Sequence, residues 1–285
     1  MADGLQTLVA ELERDRSLAR PDRLRERIKW LDRLEAYGLD RPGDNAAAAR
    51  IGAGLYGRAR AIHARLESLN EAAYAEIRRA IRRGAGAERL LAWAPGPGAG
   101  GEEYDELDVL LNGVVRFVQP DAEVAEPAAE MVFYQPTPAR HIFELIARTG
   151  LGADDTLLDL GSGLGHVPLL AAICTAARTI GVELEAAYVD CARRSAGGLN
   201  ITTATFIQAD ARAADLSAAN VFYLYTPFTG TILRDVLDAL RRQASRREIR
   251  VCAYGPCATA IAREGWLAAD RSPEVDRITV FRSRG

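Results

Sequence analysis

The sequence predicts an α/β protein with a mostly parallel sheet, preceded by a separate helical region. Two patterns predict it. From residue 131 onward, short apolar strands alternate with helical stretches, which is typical of a parallel sheet covered on both faces. Residues 1–95 instead carry apolar side chains at helical spacing throughout. A chain of 285 residues is long enough for two domains, each with its own core.

The helical region shows three apolar stripes. In the first, Leu5, Leu8, Val9 and Leu12 recur at the spacing of one helix face. The other two are formed by Leu24, Ile28, Leu31 and Leu34, and by Ile51, Leu55, Ala59, Ile62, Leu66 and Leu69. Pro21 suits the first position of a helix, whereas Pro42 and Gly43 predict a loop.

An acidic segment separates the two regions. The stretch 94–101 is rich in glycine and proline, as flexible linkers are. Acidic residues at 102–108 and apolar residues at 109–117 follow it, and this mixture predicts a short helix that packs on the next domain, or a lid. We therefore predict a helical domain over 1–95, an acidic linker or lid over 96–130 and a third region over 131–285.

Composition and charge argue against several classes of protein. A net charge of −3 argues against a general nucleic-acid-binding protein. No apolar run approaches the length of about 20 residues that spans a bilayer, and no secretory signal is evident, so we expect a cytoplasmic protein without a membrane segment. The four cysteines and three histidines are scattered, so we expect no metal site.

The region from 131 contains a series of predicted strands. A helix is predicted from about Thr137, as its N-cap with Pro138 at the first helical position, to about Arg148. The strands are predicted at residues 156–160, 179–183, 205–207, 221–225, 249–254 and 278–281, with helices at 167–173, 186–195 and 233–240.

A glycine-rich stretch follows the first of these strands. It reads Asp-Leu-Gly-Ser-Gly-Leu-Gly-His over 159–166, between a strand and a helix, which is where a ligand loop is expected. Glycines there permit a tight turn and close approach of a ligand. Glu183 ends the second strand, 20 residues after Gly163, where a carboxylate can accept hydrogen bonds from both hydroxyls of a ribose.

This DxGxGxG pattern, with its acidic partner, resembles that of the class I S-adenosylmethionine-dependent methyltransferases. The resemblance covers residues 131–285 and implies a Rossmann-like seven-stranded sheet in the order 3-2-1-4-5-7-6, with the last strand antiparallel. It implies S-adenosylmethionine as the cofactor. The cofactor-binding residues so implied are Thr137, Asp159, Gly161, Ser162, Gly163, Gly165, His166, Glu183, Asp210 and Ala211.

The resemblance also implies an acceptor site after the fourth strand, formed by Tyr225, Thr226, Pro227 and Phe228. We expect Pro227 to bias Thr226 towards an extended backbone, with the Thr226 hydroxyl facing the acceptor. The sequence is similar to bacterial proteins that resemble the non-SET histone-lysine methyltransferases, which have asparagine where this chain has Thr226. His166 has two interpretations, a general base or a side chain that packs on the cofactor.

Three functions follow as hypotheses. The first is a methyltransferase that acts on a nitrogen or oxygen atom of a small molecule or a protein side chain. The second is a noncatalytic S-adenosylmethionine-binding scaffold that acts through its helical N-terminal half, and the third, less supported by the glycine spacing, is a nicotinamide oxidoreductase. The N-terminal helices are also a candidate surface for a homodimer.

Overall fold

A computed structural model of the chain describes residues 2–39, 51–96, 104–117, 119–120 and 129–284. The structure divides into two compact units, Met1–Arg79 and Ala80–Gly285. The predicted loop at Pro42 and Gly43 lies outside the described residues, and so do residues 97–103, 118 and 121–128 of the predicted linker or lid. The division at 95 and 130 therefore stays a prediction.

The first unit consists of helices around an apolar core. Helix α1 (Ala2–Arg14) buries all four residues of the first predicted stripe, and α2 (Leu24–Glu35) buries all four of the second. Helix α3 (Ala53–Arg82) adds Ala59 and Leu66 to the same core. Pro21 begins a short 3-10 helix, Pro21–Arg23, that leads into α2. The predicted helical periodicity is confirmed for these three elements.

A buried arginine ties this unit together. Arg27 on α2 is only 1% exposed. Its guanidinium donates to the Asn70 side-chain oxygen at 2.7 Å and to the carbonyls of Leu18 and Arg20 at 2.9 and 2.7 Å. The cation thus joins α2, α3 and the turn before α2, and its charge is solvated by acceptors of the protein instead of water.

The second unit is built on a seven-stranded sheet in the order β3-β2-β1-β4-β5-β7-β6. Strands β1 to β5 run parallel, and β7 is antiparallel to both β5 and β6. The predicted order and the antiparallel last strand are confirmed. The strands are β1 (Thr156–Leu160), β2 (Arg178–Glu183), β3 (Ala204–Gln208), β4 (Val221–Tyr225), β5 (Arg250–Tyr254), β6 (Leu267–Ala269) and β7 (Thr279–Ser283).

Strand β6 was not predicted from the sequence, because its three residues carry too little pattern to stand out.

The central strands β1 and β4 are buried almost throughout, as a sheet covered on both faces requires. The helices of this unit, after the end of α3, are α4 (Gly86–Leu91), α5 (Glu106–Val115), α6 (Ala139–Thr149), α7 (His166–Cys174), α8 (Ala186–Gly198), α9 (Gly230–Ala244) and α10 (Cys257–Ile261).

Helix α5 lies within the segment for which the sequence predicts a packing helix or a lid. It packs against α6, and its acidic first turn explains why. Asp105 and Asp108 form a capping box at the start of α5. Asp108 also accepts from the Ala139 N–H at 2.8 Å, and Asp105 pairs with Arg140, so the same carboxylates hold the start of α6. The acidic residues at 105 and 108 thus have a structural role.

The start of α6 corrects one prediction. Pro138, not Thr137, occupies the N-cap position, and it makes no side-chain cap. The Thr137 hydroxyl is instead 3.0 Å from the Tyr223 hydroxyl on β4. The prediction was wrong because Asp108, which is distant in sequence, supplies the cap and leaves Thr137 free to face the sheet.

Within the described residues, no helix has both the length and the apolar composition that crossing a bilayer would require.

We predict that Arg27→Ala lowers the free energy of unfolding by about 2 to 4 kcal/mol, because hydrogen bonds of a charged donor are lost and Asn70 is left without its partner. Urea denaturation followed by circular dichroism measures this. Arg16→Ala, at an exposed position of a neighbouring turn, should change it by no more than about 0.5 kcal/mol. Equal small losses in the two variants would contradict the structural role of Arg27.

Candidate active site at the carboxyl ends of the strands

The glycine loop connects β1 to α7 and is bonded to β2. Gly161, Gly163 and Gly165 all have positive φ angles, of 87°, 51° and 84°, which glycine adopts without strain. The N–H groups of Gly161 and Ser162 both donate to the Val182 carbonyl, at 2.9 and 3.0 Å. The loop therefore turns sharply at the end of β1 and stays close to the end of β2.

The glycines also permit close packing by other parts of the chain. A Cβ atom at Gly161 would lie 2.5 Å from Cβ of Pro227, and one at Gly163 would overlap the ring of Tyr134. A Cβ at Gly165 would lie 2.6 Å from the ring of Phe206 on β3. In this structure, the side chains that approach the loop belong to the protein itself.

Glu183 links the ends of the first two strands. Its Oε2 accepts from the Gly163 N–H at 2.8 Å, and its Oε1 accepts from the Glu185 N–H at 3.0 Å. An ionised carboxylate offers about four lone-pair positions, so capacity remains for two further donors. Glu183 thus fixes the glycine loop and can still accept from a pair of hydroxyls.

Asp159 is a buried carboxyl that lines the same cavity. It is 3% exposed, and burial, together with the charge of Glu183, raises its pKa well above the ordinary value. Among the described residues, no donor bonds to its carboxyl group. A buried carboxyl of this kind is stabilised in its charged form by a cation, because a cation offsets the cost of desolvation.

Asp210 follows β3 and is held by a residue that was not predicted. Arg212 donates to it from its backbone N–H at 2.8 Å and from its guanidinium at 2.6 to 3.2 Å. These bonds lower the pKa of Asp210. The sequence does contain a signal for this pair, because an acidic residue at 210 is followed two positions later by arginine. This spacing allows a turn in which the two charged side chains pair.

His166, the first residue of α7, contacts two aromatic side chains. Its Nδ1 is 3.1 Å from the Tyr134 hydroxyl, and the Phe117 ring stacks on it with centroids 3.6 Å apart. Burial lowers its pKa to about 3, so the imidazole is neutral at physiological pH. So weak a base is poorly matched to proton abstraction, which favours the packing interpretation over the general base.

Residues 129–137 form a strap across this end of the sheet. Glu130 accepts from the N–H groups of Thr231 and Ile232, at 2.9 and 3.2 Å, and so binds the start of α9. The Val132 N–H donates to the Pro227 carbonyl at 3.2 Å, and Tyr104 donates to the Pro136 carbonyl at 2.6 Å. The strap is thereby anchored at both ends. Sequence reasoning assigned only Thr137 of it to the site.

The loop after β4 departs from prediction. Thr226 has a φ of 39°, in the left-handed region, so the expected extended backbone is wrong. Its hydroxyl donates to the Tyr254 carbonyl at 3.2 Å and accepts from the Cys257 N–H at 3.1 Å. These bonds to the neighbouring loop override the local preference that Pro227 imposes. They also engage the hydroxyl group that is expected to face the methyl acceptor, both as a donor and as an acceptor.

The other residues of this loop lie between the core and the cavity. Phe228 is 4% exposed and belongs to the apolar core between the sheet and α9, although it also borders the cavity. The Tyr225 ring lies 4.5 Å from that of Tyr254, centroid to centroid. Tyr225 is half-buried and remains accessible from the cavity.

A cavity of about 970 Å³ brings these groups together. All the predicted site residues line this cavity except Gly163 and Gly165. Those two belong to the glycine loop but do not border the cavity. Carboxyl groups outnumber cations along its wall, where Arg212 is the only guanidinium among the described lining residues. The lining residues that sequence reasoning missed include the strap residues Met131–Pro136 and also Tyr188, Tyr223, Arg212 and Pro256.

Comparison with known proteins adds one family match. The family described as "Histone methylation protein DOT1" matches residues 126–212, which include the strap, the glycine loop, Glu183 and Asp210. A search of curated proteins gave no match.

Solved structures similar to this chain cover about half of it. An RNA methyltransferase from Salinibacter ruber, in complex with S-adenosyl-L-homocysteine, is 28% identical, with 52% of this chain and 92% of that chain covered and a TM-score of 0.44. A precorrin-6y C5,15-methyltransferase from Geobacter metallireducens is 17% identical, with coverage of 54% and 92% and a TM-score of 0.41. A SAM-dependent methyltransferase from Aquifex aeolicus is 14% identical, with coverage of 50% and 88% and a TM-score of 0.40.

At these TM-scores the assignment rests on the chain's own features. They are the strand order with its antiparallel last strand, the glycine loop bonded to the acid that ends β2, and the family match over residues 126–212, which includes that loop and that acid. Together they give the second unit the fold of the class I S-adenosylmethionine-dependent methyltransferases.

Proposed function

We propose that this protein transfers the methyl group of S-adenosylmethionine to an amine nitrogen of a small molecule or a protein side chain. The observation that carries the proposal is the single cavity that joins the glycine loop to the loop after β4, with an excess of carboxyl groups on its wall. An acidic wall attracts cationic amines and repels the phosphates of nucleic acids.

The residues of the cavity fit the cofactor. Glu183 has lone pairs left for the two ribose hydroxyls, and Asp159 offers an unpaired buried carboxyl to a positively charged group. Asp210 and Ala211 line the cavity after β3, and we assign them to the adenine of the cofactor. A cavity of about 970 Å³ has room for a cofactor and a small acceptor group together.

S-adenosylmethionine, when bound, supplies a methyl group that its sulfonium makes electrophilic. The protein's task is to hold a nucleophile in line with it, about 3 Å away, and to exclude water. The strap covers this end of the sheet and contributes Tyr134, while β4 contributes Tyr223 and Tyr225. These rings give the acceptor a partly apolar surround, which favours the neutral amine that can attack.

The proposal is tested by incubating the full chain with methyl-labelled S-adenosylmethionine and a cell lysate. We expect label in the protein or small-molecule fraction, and we expect it to resist mild alkali, as methylamines do and methyl esters do not. Nuclease treatment of the lysate should leave the transfer unchanged. Denatured chain serves as the blank.

Two outcomes would contradict the proposal. Label that is lost on nuclease treatment would point to a nucleic-acid acceptor. Binding of S-adenosylhomocysteine without any transfer of label would instead favour the noncatalytic scaffold, which the committed hydroxyl of Thr226 would suit.

We predict that Glu183→Ala weakens S-adenosylhomocysteine binding by about 10²-fold or more, since two hydrogen bonds to a charged acceptor, each worth about 1.5 to 3 kcal/mol, are lost. Isothermal titration calorimetry measures the affinity. Glu183→Gln keeps one acceptor oxygen, so its affinity should lie between that of the wild type and that of Glu183→Ala. Asp190→Ala, an exposed carboxylate on α8, is the matched control and should bind normally. Normal binding by Glu183→Ala would refute the role of Glu183.

We also predict that S-adenosylmethionine binding releases a proton from Asp159. Burial raises the pKa of this carboxyl in the free protein, and a cation beside it lowers that pKa, so affinity should increase as pH rises through the raised value. Calorimetry in two buffers of different ionisation enthalpy gives the number of protons released. Asp159→Asn should abolish the release. Identical release by this variant would assign the proton to another group.

A further inference from the structure

Thr226 holds a backbone conformation that its residue type disfavours. A β-branched side chain at positive φ is a true outlier, and the following proline adds a further restriction. Such a conformation is unfavourable for a threonine and persists only where the surroundings enforce it. Strain of this kind concentrates at functional sites, and Thr226 lines the cavity.

Three hydrogen bonds enforce it, one to the last residue of β5 and two to Cys257, which follows β5. The Thr226 N–H donates to Sγ of Cys257 at 3.4 Å, and the Cys257 N–H donates to Oγ1 of Thr226 at 3.1 Å. Oγ1 of Thr226 in turn donates to the Tyr254 carbonyl at 3.2 Å. We call this reciprocal set of bonds, formed by Thr226, Tyr254 and Cys257, the clasp.

Cys257 suits this task for two reasons. It is 3% exposed, so water does not compete for its bonds. Burial raises the pKa of its thiol, which therefore keeps its proton and can donate to the Tyr254 carbonyl at 3.4 Å while the sulfur accepts from Thr226. Gly255 leaves space for the clasp, because a Cβ there would lie 2.7 Å from Oγ1 of Thr226.

The φ angle of Thr226 determines the direction of the residues that follow. Pro227 comes next and packs against Gly161 of the glycine loop, and its carbonyl accepts from Val132 of the strap. Phe228 follows and forms a bridge with Met131. A relaxed Thr226 would therefore shift both the wall of the cavity and the strap that covers it.

We infer that Cys257 is a positioning residue for methyl transfer: through the clasp it keeps Thr226 in the left-handed conformation, and so fixes the loop 225–228 against the glycine loop. This inference rests on the proposed function. Because a misplacement of about 1 Å can cost about 10²-fold in rate, losing the clasp should slow transfer far more than it weakens cofactor binding.

The test compares Cys257→Ala with four other variants in the label-transfer assay, with the lysate concentration varied. Cys257→Ala removes the bond from the Thr226 N–H to Sγ and keeps the two bonds of the Thr226 hydroxyl. For this variant we expect a maximal rate at least about tenfold lower, the same half-saturating lysate concentration and unchanged S-adenosylhomocysteine affinity. Cys257→Ser, which keeps a donor and an acceptor, should recover most of the rate. Cys252→Ala is the matched control, since Cys252 is buried on β5 and should leave the rate normal.

Thr226→Val completes a double-mutant cycle with Cys257→Ala. If the two residues act through one clasp, the double variant should lose no more than the worse single variant. A crystal structure of Cys257→Ala with S-adenosylhomocysteine gives a readout that does not depend on activity. A negative φ at residue 226 would support the inference.

Two results would overturn it. One is a Cys257→Ala structure that keeps residue 226 at positive φ, whatever the activity. The other is a Cys257→Ala variant as fast as the wild type. If the wild-type chain itself transfers no label, the proposed function fails, and the φ angle of residue 226 then decides alone whether the clasp holds the loop.

Discussion

The carboxylate of Glu183 is the interaction on which the site depends. It stands at the end of β2 and accepts backbone N–H groups from two loops, at Gly163 and at Glu185. Without an acceptor there, the N–H of Gly163 would be left unpaired at the turn of the glycine loop, which is costly for a half-buried backbone group. The same carboxylate shapes the glycine loop and, in the function proposed above, also accepts from the ligand, so loop geometry and ligand affinity would be coupled through one side chain.

The strap and the loop after β4 complete the site. The strap packs against the glycine loop at Gly163, and the loop after β4 packs against it at Gly161. Pro227 and Tyr134 occupy the space that side chains at those positions would fill. Asp105 and Asp108 hold α6, which follows the strap, so the acidic segment supports the site from outside it. The cavity is consequently formed by parts of the chain that lie far apart in sequence.

The sequence predicted features that depend on local pattern. The strands of the parallel sheet appeared as short apolar runs, and the glycine loop with Glu183 appeared through its spacing. Features that depend on distant partners could not be predicted in this way. The conformation of Thr226 is set by Cys257, which lies 31 residues away, and the cap of α6 comes from Asp108, 31 residues before the residue that it caps. The pairing of Asp210 with Arg212 was local, but a charge pair at that spacing is too common to identify a site by itself.

The anchor of the strap has a consequence for how this sequence can change. Gly230 has a φ of 55°, and any side chain there would overlap the carboxylate of Glu130, which is bound to the start of α9. Positions 130 and 230 are therefore constrained as a pair, although 100 residues separate them. In proteins that share this strap, a larger residue at 230 should occur only where position 130 is no longer acidic, so the two positions should vary together.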